Sequence, residues 1–195
     1  MSEAHEAEPR PAELWVIRHG ETEWSRDGKH TSRTEVELTP EGEDVARGLA
    51  DRLDGVEFDL VLTSPRLRAR RTAELAGFTD AHVEDDLAEW DYGDYEGITT
   101  AQIRTAVAGW TVWTDPCPNG ESAEQVGKRL DRVVAKVRAH GGRVLVFGHG
   151  HASRALACRW LGLTVSDGRL FRLDTGAVSV LGYDHESPAV ARWNA

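Results

Sequence analysis

The sequence predicts an α/β fold, a three-layer α/β/α sandwich with a largely parallel central sheet. Short apolar runs at 14–17, 60–62 and 144–147 contain β-branched residues and have the length of buried strands. Stretches with helical periodicity separate these runs. Strands that alternate with helices are typical of parallel sheets whose two faces are covered by helices.

The first helix is predicted from its start signal and its apolar stripe. Thr39 is a natural N-cap residue, and Pro40 suits the first helical position. Val45, Leu49 and Leu53 then recur every four residues, which predicts that these three side chains face the core.

The middle of the chain is predicted to contain two more helices and a short strand. Ser64–Pro65 repeats the cap-and-proline signal and predicts a helix that begins there. Residues 81–84 favour a short strand, and residues 91–99 favour a loop. A short helix capped by Thr99 or Thr100 is predicted to follow.

The C-terminal half repeats the alternation of helix and strand. Ser122 and Gln125 form a capping-box pair at the start of a helix with one apolar face. The positions predicted to be buried on that face are Val126, Leu130, Val133, Val134 and Val137. A helix from 151 to about 161 follows the third apolar run, and strands are predicted at 177–183 and, as an edge, at 189–193.

Length and composition suit one globular domain. Residues 12–195 are predicted to form that domain, and the acidic segment 1–11 to be a disordered tail rather than a secretory signal. The formal net charge of −10 argues against nucleic acid or an anionic membrane as the main partner. Cys117 and Cys158 make no disulfide framework, which favours reduced thiols and a cytoplasmic location.

Two histidine motifs stand where predicted core strands end. Arg18-His19-Gly20 follows the first apolar run, and Gly148-His149-Gly150-His151 follows the third. Arginine offers a planar cationic fork for an anion, histidine can act as a nucleophile, and glycine allows a ligand close to the backbone. Because ligands of open α/β sheets bind at the carboxyl ends of strands, the motifs predict a shared phosphate site.

Four separated blocks carry a family resemblance. They are Arg18–Ser25, Thr63–Glu74, Leu87–Gly97 and Gly148–Arg154. In this order and spacing they resemble the histidine phosphatase superfamily, also called phosphoglycerate mutase-like, over about residues 14–183. The chain is most similar to the short phosphatase branch, which includes acid phosphatases and the yeast-type sedoheptulose bisphosphatase. The resemblance implies a phosphoglycerate mutase-like fold.

The resemblance also implies catalysis through a phosphohistidine. His19 attacks phosphorus, while Arg18, Arg68 and His149 bind the phosphoryl oxygens and stabilise the charge of the transition state. Glu89 protonates the leaving oxygen and then activates the hydrolytic water. Fixed arginines can neutralise phosphoryl charge without a metal ion, so we expect neither a metal nor a cofactor.

The implied substrate pocket includes Thr31, Tyr92 and the backbone of Gly150. Ser25 departs from the family pattern, in which asparagine is usual, and its hydroxyl can still donate to phosphate with a shorter reach. The complete predicted substrate-binding set is Arg18, Ser25, Thr31, Arg68, Tyr92, His149, Gly150 and His151.

Two local alternatives are open at the level of sequence. His149 and His151 could form a His-x-His metal site, but side chains on a strand-to-helix turn need not converge. We therefore expect His151 to be part of the pocket wall. Trp110 and Trp113 are expected to pack within an irregular connector or to line the pocket mouth.

The leading functional hypothesis is a broad-specificity acid phosphatase that hydrolyses phosphate monoesters of small metabolites. The alternatives are a phosphoglycerate mutase, a sugar bisphosphatase, and a non-catalytic module that binds phosphorylated ligands. A pure binding module needs neither a nucleophile nor an acid, which argues against the last. The sequence leaves phosphoprotein substrates and a homodimer open.

Overall fold

A computed structural model describes residues 10–195. Residues 1–9, most of the predicted tail, lie outside the described part. Arg10 is already fixed to the domain, because its carbonyl accepts a hydrogen bond from the Gly142 amide and its guanidinium lies 2.6 Å from the Asp59 carboxylate. Arg10, which the sequence predicts to lie in the tail, therefore contacts the domain.

One six-stranded sheet forms the centre of the fold, in the order β3-β2-β4-β1-β5-β6. Its strands are β1 (Glu13–Arg18), β2 (Leu60–Thr63), β3 (His82–Val83), β4 (Arg143–Gly148), β5 (Val178–Asp184) and β6 (Ser187–Arg192). The first four run parallel, and β5 and β6 are antiparallel additions at one side. This arrangement confirms the predicted strands and the largely parallel sheet.

Helices cover both faces of the sheet. They are α1 (Glu23–Arg26), α2 (Pro40–Arg52), α3 (Leu67–Leu75), α4 (Thr100–Ala106), α5 (Ala123–His140) and α6 (Gly150–Trp160). Side chains alternate between the faces along each strand. Val16 and Val146 pack with α5 and α6, whereas Ile17 and Phe147 pack with α2 and α3. The predicted three-layer sandwich is confirmed.

The prediction for the buried face of α2 was wrong at one position. Thr39 caps the helix and Pro40 opens it, as expected. Val45, however, is 45% exposed, while Gly42, Ala46 and Leu49 are buried. The helix is rotated toward its small residues because its first turn packs closely on the backbone of Glu21.

That close packing leads to a stability prediction with a control in the same helix. A β-carbon on Gly42 would collide with the Glu21 carbonyl group, whereas one on Gly48 meets nothing within 4 Å. We expect Gly42→Ala to lower the free energy of unfolding by about 1–3 kcal/mol. Gly48→Ala should raise it by about 0.5–1 kcal/mol because alanine favours the helix. Urea denaturation measures both, and equal effects would contradict the predicted contact.

The start of α3 also differs from the prediction. The helix begins at Leu67, and Arg66 precedes it without a side-chain cap. Ser64, the expected cap, instead places its hydroxyl 2.6 Å from Nε2 of His149. Ser64 therefore belongs to the candidate site rather than to the helix start.

The starts of α4 and α5 agree with the prediction, whereas α1 was not predicted. Thr99 caps α4, and Ser122 and Gln125 form the capping box of α5, whose predicted apolar face is buried. Cys117 and Cys158 are both free and buried, and burial raises the pKa of each thiol to about 11. Among residues 10–195, no helix is long and apolar enough to cross a bilayer.

Candidate active site

A cavity of about 180 Å³ lies where β1 and β4 end. The predicted site residues that line it are Arg18, His19, Ser25, Thr31, Glu89, Tyr92, Gly150 and His151. Arg68 and His149 are fully buried. The parallel register pairs Arg18 with Gly148, so the two histidine motifs are adjacent. The structure therefore places eight predicted residues around one cavity, while Arg68 and His149 lie behind its lining, in contact with Thr31 and His19.

His19 has the tautomer of a nucleophile. Its Nδ1 lies 2.7 Å from the Gly20 carbonyl oxygen, and a carbonyl can only accept, so Nδ1 carries the proton. The lone pair is therefore on Nε2. Burial, followed by the charges of Arg68 and Arg18, holds the pKa of His19 well below its ordinary value. The imidazole is thus neutral and able to attack.

Arg18 is half-buried and Arg68 fully buried, and the hydrogen bonds of both guanidinium groups go to uncharged partners. Arg18 donates to the carbonyl of Leu173 at 2.6 Å, and Arg68 to those of Thr31 and Ser32 at 2.9 and 3.2 Å. The Nε atom of each arginine is buried without a partner. Burial lowers the pKa of both guanidinium groups. A guanidinium group shielded from water and without a carboxylate partner is stabilised by a bound anion such as phosphate.

His149 is arranged to offer a second donor beside His19. The two rings lie 5.3 Å apart between centroids. In the tautomer in which the Ser64 hydroxyl donates to Nε2 of His149, at 2.6 Å, the Ser64 oxygen also accepts the Arg66 amide at 3.3 Å. The remaining proton of His149 is then on Nδ1, a buried atom without a partner. This nitrogen is suited to bind a phosphoryl oxygen.

Glu89 is held at the first turn of α6. Its carboxylate accepts backbone N–H groups from Trp90 at 2.8 Å, His151 at 3.1 Å and Ala152 at 2.7 Å. These bonds fix both oxygens at the edge of the cavity. Glu89 thus supplies a carboxyl group in the same cavity as His19.

His151 forms the far wall with aromatic neighbours. Its Nδ1 lies 2.6 Å from the Tyr92 hydroxyl, and its ring contacts Trp113 at 5.1 Å between centroids. Burial holds the pKa of His151 well below its ordinary value. Because His149 bonds Ser64 instead, the two histidines have different partners. Within 10–195, no group of three or more His, Cys, Asp or Glu side chains is placed to hold a metal ion.

Four more predicted positions have defined surroundings. Ser25 lines the cavity, but its hydroxyl accepts the Thr22 amide, which closes the capping box of α1, and donates to the Thr22 carbonyl. Its role as a phosphate donor stays a prediction and requires that hydroxyl to leave the cap. Thr31 lines the cavity and binds Arg68 through its carbonyl. Trp110 and Trp113 are buried outside the cavity lining, as expected for connector packing.

A family model for the histidine phosphatase superfamily, branch 1, matches residues 14–195. The chain belongs to this superfamily. An acid phosphatase of Mycobacterium tuberculosis is 46% identical over 88% of this chain and 87% of its own length. The sedoheptulose 1,7-bisphosphatase of Saccharomyces cerevisiae is 33% identical over 88% of each chain.

A solved structure of an open reading frame product from Mycobacterium tuberculosis shares the fold. It superimposes with a TM-score of 0.90 at 43% identity, and the match covers 95% of this chain and 98% of that chain. The predicted histidine phosphatase fold is therefore confirmed along nearly the whole chain.

Sequence reasoning missed four residues at this histidine phosphatase site. Lys29, His30 and Arg154 line the cavity, and Ser64 binds His149. Arg154 had a usable signal, because it lies one helical turn after His151 and so shares its side of α6. Ser64 lies in the Thr63–Glu74 block, but its bond to His149 and the positions of Lys29 and His30 depend on contacts between distant segments.

Proposed function

We propose that this chain is a metal-independent phosphatase that hydrolyses small phosphate monoesters through a phosphohistidine at His19. The observation that supports this most is the neutral imidazole of His19 beside half-buried Arg18 and fully buried Arg68, whose guanidinium groups have no carboxylate partner. A site with these properties binds a phosphoryl dianion and presents a nucleophile to it.

In the first step, Nε2 of His19 forms a bond to phosphorus as the ester P–O bond breaks. Arg18 and Arg68 neutralise the charge on the transferring oxygens. Glu89, the carboxyl group that lines the same cavity, acts as the general acid and carries a proton in this step of the proposed mechanism. It delivers that proton to the leaving alcohol oxygen.

In the second step, water attacks phosphorus and the bond to His19 breaks. Glu89, now a carboxylate, accepts a proton from the water, and inorganic phosphate is released. The imidazole returns to its neutral form with the proton still on Nδ1, where the Gly20 carbonyl holds it. One carboxyl group thus serves as acid and then as base.

The size of the cavity supports a small substrate. Its volume of about 180 Å³ suits a small phosphorylated metabolite, and the named relatives include an acid phosphatase and a sugar bisphosphatase. Broad specificity, a cytoplasmic location and a homodimer stay predictions from sequence.

The direct test is phosphate release from a panel of phosphomonoesters. We expect hydrolysis of several small esters, aryl phosphates included. A mutase would instead need a bisphosphorylated primer and release little phosphate. Tight binding of the same esters with no turnover would favour the non-catalytic module.

We expect activity to survive exhaustive EDTA treatment. Arginine and histidine side chains already supply the positive charge that a metal ion would bring to the phosphoryl group. Initial rates on nitrophenyl phosphate, before and after chelation and gel filtration, measure the effect. Loss of activity that added zinc or magnesium restores would contradict the proposal and favour His149 and His151 as metal ligands.

A further inference from the structure

The segment that presents Glu89 has little regular structure of its own. It follows a single 3-10 turn at Asp85–Leu87 and precedes another at Gly93–Tyr95. The α6 amides bind the carboxylate of Glu89, but they do not hold the backbone that carries it. That backbone is held from outside the cavity by an ion pair between Arg129 and Glu121.

Arg129 lies on α5 and uses all three guanidinium nitrogens. Its Nη1 donates to the carbonyls of Asp86 at 2.7 Å and Ala88 at 2.8 Å, just before Glu89. Its Nε and Nη2 donate to the two carboxylate oxygens of Glu121 at 2.8 and 2.9 Å. The Arg129 side chain is 10% exposed, so these bonds are largely shielded from water.

Glu121 holds the backbone on the other side of Glu89. Its carboxylate accepts the amide of Asp91 at 2.9 Å, and its own amide donates to the Asp91 carbonyl at 2.8 Å. Its carbonyl accepts Nε1 of Trp90 at 2.9 Å. The pair therefore contacts residues on both sides of Glu89 but not Glu89 itself.

We propose that the Arg129–Glu121 ion pair is a positioning device that sets where the Glu89 carboxyl meets the leaving oxygen. The inference rests on the proposed function and adds two residues to it. The buried face of α5 packs against the core through Val126, Leu130 and Val133. Arg129 therefore ties the segment before Glu89 to a helix that is itself fixed in the core. A displacement of a catalytic group by 1 Å can lower the rate by roughly 100-fold. A less rigid segment around Glu89 should therefore impair proton transfer to the leaving oxygen more than the attack by His19.

The test is the dependence of rate on the leaving group. An alkyl phosphate needs a proton on its leaving oxygen, whereas p-nitrophenyl phosphate does not. We expect Arg129→Met to lower kcat/KM for β-glycerol phosphate at least about tenfold more than kcat/KM for p-nitrophenyl phosphate. The comparison uses kcat/KM because this constant ends at release of the alcohol, before the hydrolysis of the phosphohistidine that both substrates share. A purely structural role would reduce the amount of folded enzyme and slow both substrates by one factor.

Two variants serve as matched references. Arg132→Met removes a neighbour on α5 that binds the same segment only through the Asp86 carboxylate, at 2.7 Å on the surface, and should leave the ratio of rates unchanged. Glu121→Gln keeps the shape of the pair while removing one charge. It should shift the ratio in the same direction as Arg129→Met, by a smaller factor.

The possible outcomes distinguish a failure of the positioning role from a failure of the proposed phosphatase function. Equal slowing of both substrates in Arg129→Met, with a selective loss in Glu89→Gln, would overturn the positioning role alone. If Arg129→Met does not fold, the same comparison on Glu121→Gln decides, and an unchanged ratio there overturns the inference. Failure of the wild-type enzyme to hydrolyse either ester would overturn the proposed function and this inference with it.

Discussion

His19→Ala should reduce hydrolysis of nitrophenyl phosphate by roughly 10⁴-fold or more, because the variant lacks the only nucleophile in the proposed mechanism. The Nδ1 bond to Gly20 directs the lone pair of His19 to Nε2, and alanine removes this atom altogether. His149 does not replace it, since its Nε2 is engaged by Ser64. The rate is measured as phosphate release by the purified variant at saturating substrate.

The control for this variant is the exposed residue His140, whose Nδ1 bonds only the neighbouring Gly141 carbonyl. His140→Ala should keep full activity. Circular dichroism and a thermal melt must show that His19→Ala is folded, because the residue is buried. A folded variant that kept more than a few hundredths of the wild-type rate would contradict nucleophilic attack by His19.

Glu89→Gln should lower kcat/KM by about 10²–10⁴-fold for alkyl phosphates and far less for nitrophenyl phosphate. This constant ends at release of the alcohol, so it excludes the later step in which Glu89 acts as base for both substrates alike. Glutamine keeps the size of the side chain but cannot deliver the proton that an alkoxide needs. Both substrates are measured on one preparation, so partial misfolding cannot imitate the difference. Asp91→Asn is a suitable comparison, because Asp91 pairs with Arg33 at 2.5 Å and lies outside the cavity lining. Equal slowing of both substrates by Glu89→Gln would show that another group is the acid.

Buried His19 sets the expected pH dependence. Attack requires neutral His19, and burial together with Arg68 and Arg18 lowers its pKa, so the nucleophile stays neutral well into the acid range. We therefore expect kcat/KM for nitrophenyl phosphate to be maintained as the pH falls through the ordinary histidine range, and to be lost only in more acidic buffer. The profile is measured from initial rates at constant ionic strength. A loss of kcat/KM at the ordinary pKa of histidine would contradict a neutral, buried nucleophile.

Local patterns were sufficient to predict the strands and most helix starts. The β-branched runs before His19 and before His149 identify core strands because length and composition alone favour that structure. The register between β1 and β4 follows from their parallel pairing. The sequence therefore placed the two histidine motifs correctly at one edge of the sheet.

The wrong predictions concern residues whose side chains or backbone contact a segment distant in sequence instead of making the locally expected contact. Thr39 and Ser64 carry the same cap-and-proline pattern, but only Thr39 caps a helix, because the hydroxyl of Ser64 binds a histidine 85 residues away. Val45 fits the apolar period of α2, yet close backbone packing at Gly42 rotates it outward. The support of Glu89 by α6 and by Arg129 likewise depends on tertiary contacts that no local pattern encodes.

The central claim, a phosphate bonded to His19, is tested most directly by trapping the intermediate. Wild-type enzyme is mixed with radiolabelled substrate, quenched in alkali within the first turnover, and digested for peptide mapping. We predict label on the peptide that contains His19, stable in alkali and lost in acid, and no label in His19→Ala. Label that survives acid, or that maps to any other residue, would contradict the proposed mechanism.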